Sequence, residues 1–229
     1  MFNKRMMAAA LLGSVVAMPA SAAVLVAGDP STAFANFTPA SSTQGTKLAS
    51  DSITGCSSPG TTFCGTMNVA VYRNTTGTLD FYYQFIRNTT GGADAVETIT
   101  GGDFTGYDVT AYVWTADPDG AGAFVSENNP GANARAALSL SGTVSVNFAN
   151  SNPLTGSDAS ATYIFRTNAV NYAEGTFGVI DRAVFSGMAY QPAPPVPEPA
   201  TWGLFIGGFG LVGGALRRAR RRPLATSLV

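Results

Sequence analysis

Between residues 68 and 188 apolar and polar residues alternate singly, in short runs separated by clusters of Gly, Ser, Thr and Asn. Val69 and Val71 alternate with Asn68 and Ala70. Leu79, Phe81, Tyr83 and Phe85 alternate with Asp80, Tyr82, Gln84 and Ile86, and Asn74 to Thr78 supplies turn residues for a hairpin joining these two runs. Tyr107, Val109, Ala111 and Val113 alternate with Asp108, Thr110, Tyr112 and Trp114. The longest run is Leu138 to Phe148, where Leu138, Leu140, Val144, Val146 and Phe148 alternate with serines, Thr143 and Asn147. Shorter runs occupy 162–167, 176–180 and 183–188. A period of two sends successive side chains to opposite faces of a strand, and no stretch between 23 and 190 carries an apolar stripe of period 3.6. The pattern predicts an all-β domain over residues 23–190, an antiparallel β-sandwich of two facing sheets, with a β-barrel as the alternative. No internal repeat is visible.

Composition sharpens this picture. Of 229 residues only 12% are charged and 10% are aromatic, too apolar for a disordered polymer and suited to an extracellular β-rich domain. The near-zero net charge of −1 hides a segregation. The segment from Ala23 to Pro199 holds 6 basic and 14 acidic residues, a net of −8, while five arginines crowd the C-terminal end. An acidic domain has nothing to neutralise phosphates, so nucleic acid is not expected as a partner.

The two ends are unlike the middle. Residues 1–22 have the three parts of a secretory signal peptide: Lys4 and Arg5, the apolar stretch Met6 to Val16, and Ala20-Ser21-Ala22 as a small-residue cleavage site before Ala23. At the other end, residues 191–199 contain five prolines and read as an extended spacer. Residues 200–216 are uncharged and are expected to form a transmembrane segment, short at about 22 Å over the fifteen residues from Trp202, counted at ~1.5 Å per residue. Residues 217–229 form a basic tail whose Arg217, Arg218, Arg220, Arg221 and Arg222 would face the cytoplasm. Gly203, Gly207, Gly210 and Gly214 fall on one helical face. They either permit close approach of another helix or merely dilute the span.

Pro197-Glu198-Pro199, the short apolar segment and the terminal Arg cluster together resemble the PEP-CTERM sorting signal. Trp202 three residues after the box, and Gly208-Phe209-Gly210 within the span, are similar to one subgroup of it. The resemblance covers about thirty C-terminal residues, and departs from the family in the run Pro223 to Val229 beyond the arginines. It implies export through the inner membrane, transient membrane anchoring, recognition of the box by an exosortase, and transfer to the cell surface or extracellular matrix in an organism that makes exopolysaccharide.

Candidate chemistry in the middle is sparse. Cys56 and Cys64, the two cysteines of an exported chain, are expected to form a disulfide around seven residues. The chain has no histidine, which removes Ser-His-Asp and Cys-His catalysis and most zinc sites. No metal, cofactor or enzymatic activity is expected, and the domain's ligand is unassigned. The rival to a non-enzymatic surface or matrix protein, with exopolysaccharide as a candidate ligand in biofilm, is a carboxylate-dependent carbohydrate-active enzyme drawing on Glu97, Glu127, Glu174, Asp103 or Asp108. A purely structural matrix protein is the third reading. Asp117-Pro118-Asp119-Gly120 resembles the opening of a calcium loop but reads better as a plain turn. Tyr72, Tyr82, Tyr112 and Trp114 fall on outward positions. They form either a second core layer or a glycan-stacking platform.

Overall fold

The computed structural model describes residues 23–37, 44–89, 92, 94–119, 122–129, 134–148, 153–194 and 199–220, the last with side chains over 203–218. The signal peptide expected at 1–22, with Ala20 and Ala22, lies outside the described residues. So do Pro197, Glu198, Arg221 and Arg222. The chain divides into two compact units, Met1–Pro192 and Ala193–Val229.

In the first unit the described strands are β1 (Ala23–Leu25), β2 (Thr32–Ala33), β3 (Ala35–Asn36), β4 (Thr46–Cys56), β5 (Cys64–Arg73), β6 (Leu79–Asn88), β7 (Thr98–Gly101), β8 (Val109–Trp114), β9 (Arg135–Leu138), β10 (Val144–Asn147), β11 (Thr162–Thr167), β12 (Asn171–Asp181) and β13 (Ala183–Ala193). One sheet has the order β1-β8-β11-β6-β5-β4, with β3 running parallel beside β8; the other has the order β13-β12-β7-β10-β9-β2. Both sheets end in open edges, so the barrel alternative is not realised. The sheets share one core. From the first sheet Val69, Val71, Phe81, Tyr83, Phe85, Val109, Tyr163 and Phe165 point inward, and Ile99, Leu138, Val144, Val146, Phe177, Val179 and Phe185 meet them from the second. Burying each such side chain contributes about 1.5–3 kcal/mol. Val69, Val71, Phe81, Tyr83 and Phe85 all belong to the alternation seen in the sequence.

The β5–β6 hairpin forms where its turn residues place it. Asn74 N–H donates to Thr78 O at 2.9 Å, and Asn74 Oδ1 accepts from the Thr76 and Thr78 amides at 3.1 Å each. Leu138 to Phe148, by contrast, is not one strand. It is a hairpin, with β9 paired to β10 around Ser139–Thr143. Gly142 takes φ +79°, and an added Cβ there would lie 2.2 Å from Thr105 Oγ1. This left-handed position breaks the run and leaves Leu140 at the turn tip, 83% exposed.

Residues 23–37 lace the two sheets together. β1 pairs with β8, β2 crosses to β9, and β3 returns to β8. Leu25 joins the main core on the way. The Phe34 ring packs 4.8 Å from that of Tyr163. β1 begins at Ala23, the first residue after the expected cleavage site. At the other end β13 continues to Ala193, three residues into the expected proline spacer. Pro192 is tolerated there because β13 is an edge strand, where a missing N–H costs no ladder bond.

Candidate functional site

The second unit is dominated by the helix α1 (Pro199–Arg220). Proline suits its first position, since that N–H has no intrahelical partner and φ is already helical. Arg217 and Arg218 lie in the last turns, where cations favour the negative end of the helix dipole. Between them Leu204, Phe205, Ile206, Phe209, Leu211, Val212 and Leu216 are all more than half exposed. The helix therefore presents apolar side chains all round, a surface that water does not favour. Phe205 and Phe209, one turn apart, stack at 6.4 Å. Among the described residues, and apart from the helix's own backbone, nothing lies within 4 Å of a Cβ built on Gly203, Gly207, Gly210 or Gly214.

The expected transmembrane segment needs a correction. Among the described residues no helix is long and apolar enough to cross a membrane by the usual hydropathy measure. The reason is visible in the sequence: six glycines stand between Trp202 and Leu216, and arginines follow at once. The transmembrane expectation for residues 200–216 is therefore not met by this helix.

In the first unit the cysteine expectation is met. Cys56 and Cys64 are directly opposite at the end of the β4–β5 hairpin, with Cα atoms 4.0 Å apart, and form a disulfide. The enclosed loop is organised by Ser57, whose Oγ accepts from the Thr62 amide at 3.0 Å and the Phe63 amide at 3.2 Å. Its Ser58 forms a bridge to Val184 of β13, tying one sheet to the other.

The four outward aromatics belong to a second apolar cluster. Tyr72 and Tyr82 are buried with Phe37, Ala70, Phe124 and Ile164, and Tyr112 and Trp114 pack against them half-buried. The cover is the segment after β8. Asn68 Nδ2 donates to Ala123 O at 2.6 Å, Gln84 Nε2 donates to Val125 O at 2.7 Å, and the Val125 amide returns a bond to Gln84 Oε1 at 2.9 Å. These anchors seat the Phe124 ring 6.2 Å from that of Tyr82. Two outward amides that read as solvated are thus the bolts of a second layer. Burial pushes the Tyr72 phenol up to about 12, with Asp119 and Asp117 adding to it, and pushes that of Tyr82 higher still.

The same face holds a buried ion pair that sequence reasoning missed. Asp80 is fully buried and accepts from Arg166 Nε at 3.0 Å, from its terminal amino group at 2.8 Å, and from Asn74 Nδ2 at 2.8 Å. Hydrogen bonding to Asp80 raises the Arg166 pKa above its ordinary value. The guanidinium also lies 5.5 Å from the centre of the Phe37 ring and 5.3 Å from that of Tyr112. Asp80 and Arg166 are cross-strand partners on β6 and β11, a register that becomes visible only once those strands pair.

The candidate carboxylates are spread over the domain. Asp103 Oδ1 accepts from the Thr105 amide, and Asp108 Oδ2 accepts from Asn168 Nδ2, both in turns. Glu174 lies on β12, Glu97 adjoins β7, and Glu127 lies in the covering segment after β8. Asp117 and Asp119 form a turn: Asp117 Oδ1 accepts from the Asp119 amide at 3.0 Å, and Asp119 sits 3.8 Å from Lys47 Nζ. Burial, then the hydrogen bond with Asp117, raises the Asp119 pKa. Among the described residues no three acids, cysteines or histidines gather as metal ligands do. A cleft of about 330 Å³ opens between β1, the β7–β8 loop and the Leu140 turn, with a mainly apolar lining.

No curated protein and no solved structure matches the chain. What the comparisons identify is the tail: residues 195–222 match the PEP-CTERM protein-sorting motif, so the chain carries a sorting signal of that kind at its C-terminal end.

Proposed function

We propose that this protein crosses the inner membrane behind its signal peptide and is held briefly by α1 while an exosortase acts at Pro197-Glu198-Pro199. The β-sandwich is then left at the cell surface or in the extracellular matrix, as a non-enzymatic module that binds exopolysaccharide. The observation that carries the sorting step is the coincidence of the motif at 195–222 with a helix that starts at its own Pro199 and ends in arginines. A short, glycine-diluted helix mismatched to the hydrocarbon thickness suits transient holding better than permanent anchoring. Five candidate acids on separate elements or committed to turns favour a binding or structural role over hydrolysis, which needs two carboxyls facing one bond.

Substituting Glu198→Ala tests the sorting step, since it leaves both the signal peptide and the hydropathy of α1 unchanged. The variant is expected to be exported but unprocessed, so that a longer species accumulates in the membrane fraction on immunoblots. Equal mass and equal location of wild type and variant would remove the sorting step from this account. A glycan array with the processed protein separates a binder from a structural filler.

A further inference from the structure

At the edge of the second sheet Tyr172 of β12 and Tyr190 of β13 meet edge to face, with ring centres 5.7 Å apart and planes at 88°, and Tyr190 also packs against the main core. Tyr172 is 37% exposed and Tyr190 is partly exposed, so the two rings form an open corner. β4, at the edge of the first sheet, runs close by. A Cβ on its Gly55 would fall 2.4 Å from the Phe185 ring, and one on Gly187 of β13 would lie 3.2 Å from Ile53. Across this seam the exposed carboxylate of Asp51 comes near Tyr190, as does that of Glu174 from β12. After burial, these two charges and the neighbouring Tyr172 raise the Tyr190 pKa.

Neither carboxylate has a basic partner among the described residues. Lys47 is paired with Asp119 and Arg166 with Asp80. Arg87 and Arg135 donate to backbone carbonyls elsewhere, Arg73 donates to Gly77 O and to Val170 O just before β12, and Arg182 acts on Asp181. Asp51 Oδ1 accepts only the Ser52 amide next to it. Two rings at right angles, two carboxylates without a basic partner and a domain that carries 6 basic and 13 acidic residues over 23–190, a net of −7, together make a slot of cationic complementarity. A neutral sugar ring would stack on a flat platform. Rings at 88° do not offer one.

We propose that the Tyr172–Tyr190 corner, flanked by Asp51 and Glu174, binds an organic ammonium group. The group's positive charge rests against the ring faces and is balanced by the two carboxylates. Its source is either an amine-bearing sugar or a quaternary-amine headgroup. The site stands whether or not the sorting step above is right.

The test is a titration of the processed protein, purified from its native host and followed by the ring resonances of Tyr172 and Tyr190. Three probes are used: glucosamine oligomers, their fully N-acetylated counterparts, and choline. At least one ammonium probe is expected to shift both tyrosines while the acetylated oligomers do not. Loss of one ring in Tyr172→Ala should weaken this about three- to five-fold, the range of an exposed cation–π contact. Asp51→Asn with Glu174→Gln should weaken it further. Binding of the glucosamine oligomers alone identifies the sugar source, and binding of both ammonium probes identifies the bare cation as sufficient. Acetylated oligomers that bind as well, ammonium probes that shift neither ring, or variants that bind like wild type would each overturn the site. The first of these outcomes would leave glycan binding intact while removing the ammonium slot.

Discussion

Removing the cation of the Asp80–Arg166 pair should cost more than removing the anion, although the two share the same bonds. Asp80 is completely buried and Arg166 keeps about a third of its side chain in water (34% exposed). In Arg166→Met the carboxylate stays in place with one remaining side-chain donor, Asn74 Nδ2, and no route to solvent. Breaking a buried pair in this way costs about 3–5 kcal/mol. In Asp80→Asn the shape is kept, and the guanidinium is still partly hydrated and still lies over Phe37 and Tyr112. The loss there is about 1.5–3 kcal/mol, that of a charge-assisted hydrogen bond. For a domain of this size, about 2–4 °C in Tm accompany each kcal/mol, so the variants should differ by several degrees. Thermal and urea unfolding of the processed protein, followed by circular dichroism, measure both. The double variant should cost less than the sum of the singles, because it leaves no lone charge. If Asp80→Asn destabilises as much as Arg166→Met, the asymmetry of burial does not control the energetics and the reasoning fails.

Two further outcomes follow from the same structure. Reducing the Cys56–Cys64 bond releases a small loop (a sequence separation of 8) and should lower stability by about 2–3 kcal/mol from loop-closure entropy; a urea midpoint that does not move would show that the loop is held without it. The Tyr72 phenol, pushed up to about 12 by burial, the still higher Tyr82 and Tyr83, and Tyr163, which burial also raises, hold their protons in the folded state beyond the unfolded value of about 10. Folding thus binds more protons between those values. The stabilisation is full below pH ~10 and is lost as pH rises through about 12. Absorbance titration near 295 nm should show these phenols ionising together with unfolding, and a smooth titration of all tyrosines near pH ~10 with the fold intact would contradict it.

What could be seen in the sequence was whatever one face of a strand sufficed to declare. β5, β6 and β8 alternate because one face of each meets the main core, and their inward residues were readable one by one, whereas β11 was visible only as a short run. β4 was not, because its sequence Thr46–Cys56 is largely polar and it is an exposed edge strand, so neither face carries a clear stripe. β1, β2 and β3 have only two or three residues each and exist because β8 and β9 offer them edges. The Leu138–Phe148 run misled because Leu140 keeps the apolar phase through a turn that Gly142 makes. The outward face of the first sheet was ambiguous for a physical reason. Its Asn68, Gln84 and Asp80 look solvated, and only the covering segment and the β6–β11 register turn them into buried, bonded groups. The tail was legible as an ordered set of parts, box, span and arginines. The weakness of its span lay in the same six glycines that decorate the motif.

The most direct test of the account is the intact mass of the protein recovered from the native host without reductant. The predicted mass begins at Ala23, ends near Pro197-Glu198-Pro199 without α1 and the arginines, and is two hydrogens lighter than the reduced chain for the Cys56–Cys64 bond. A mass that still includes Trp202 to Val229 would contradict sorting by cleavage and leave a protein that keeps its tail.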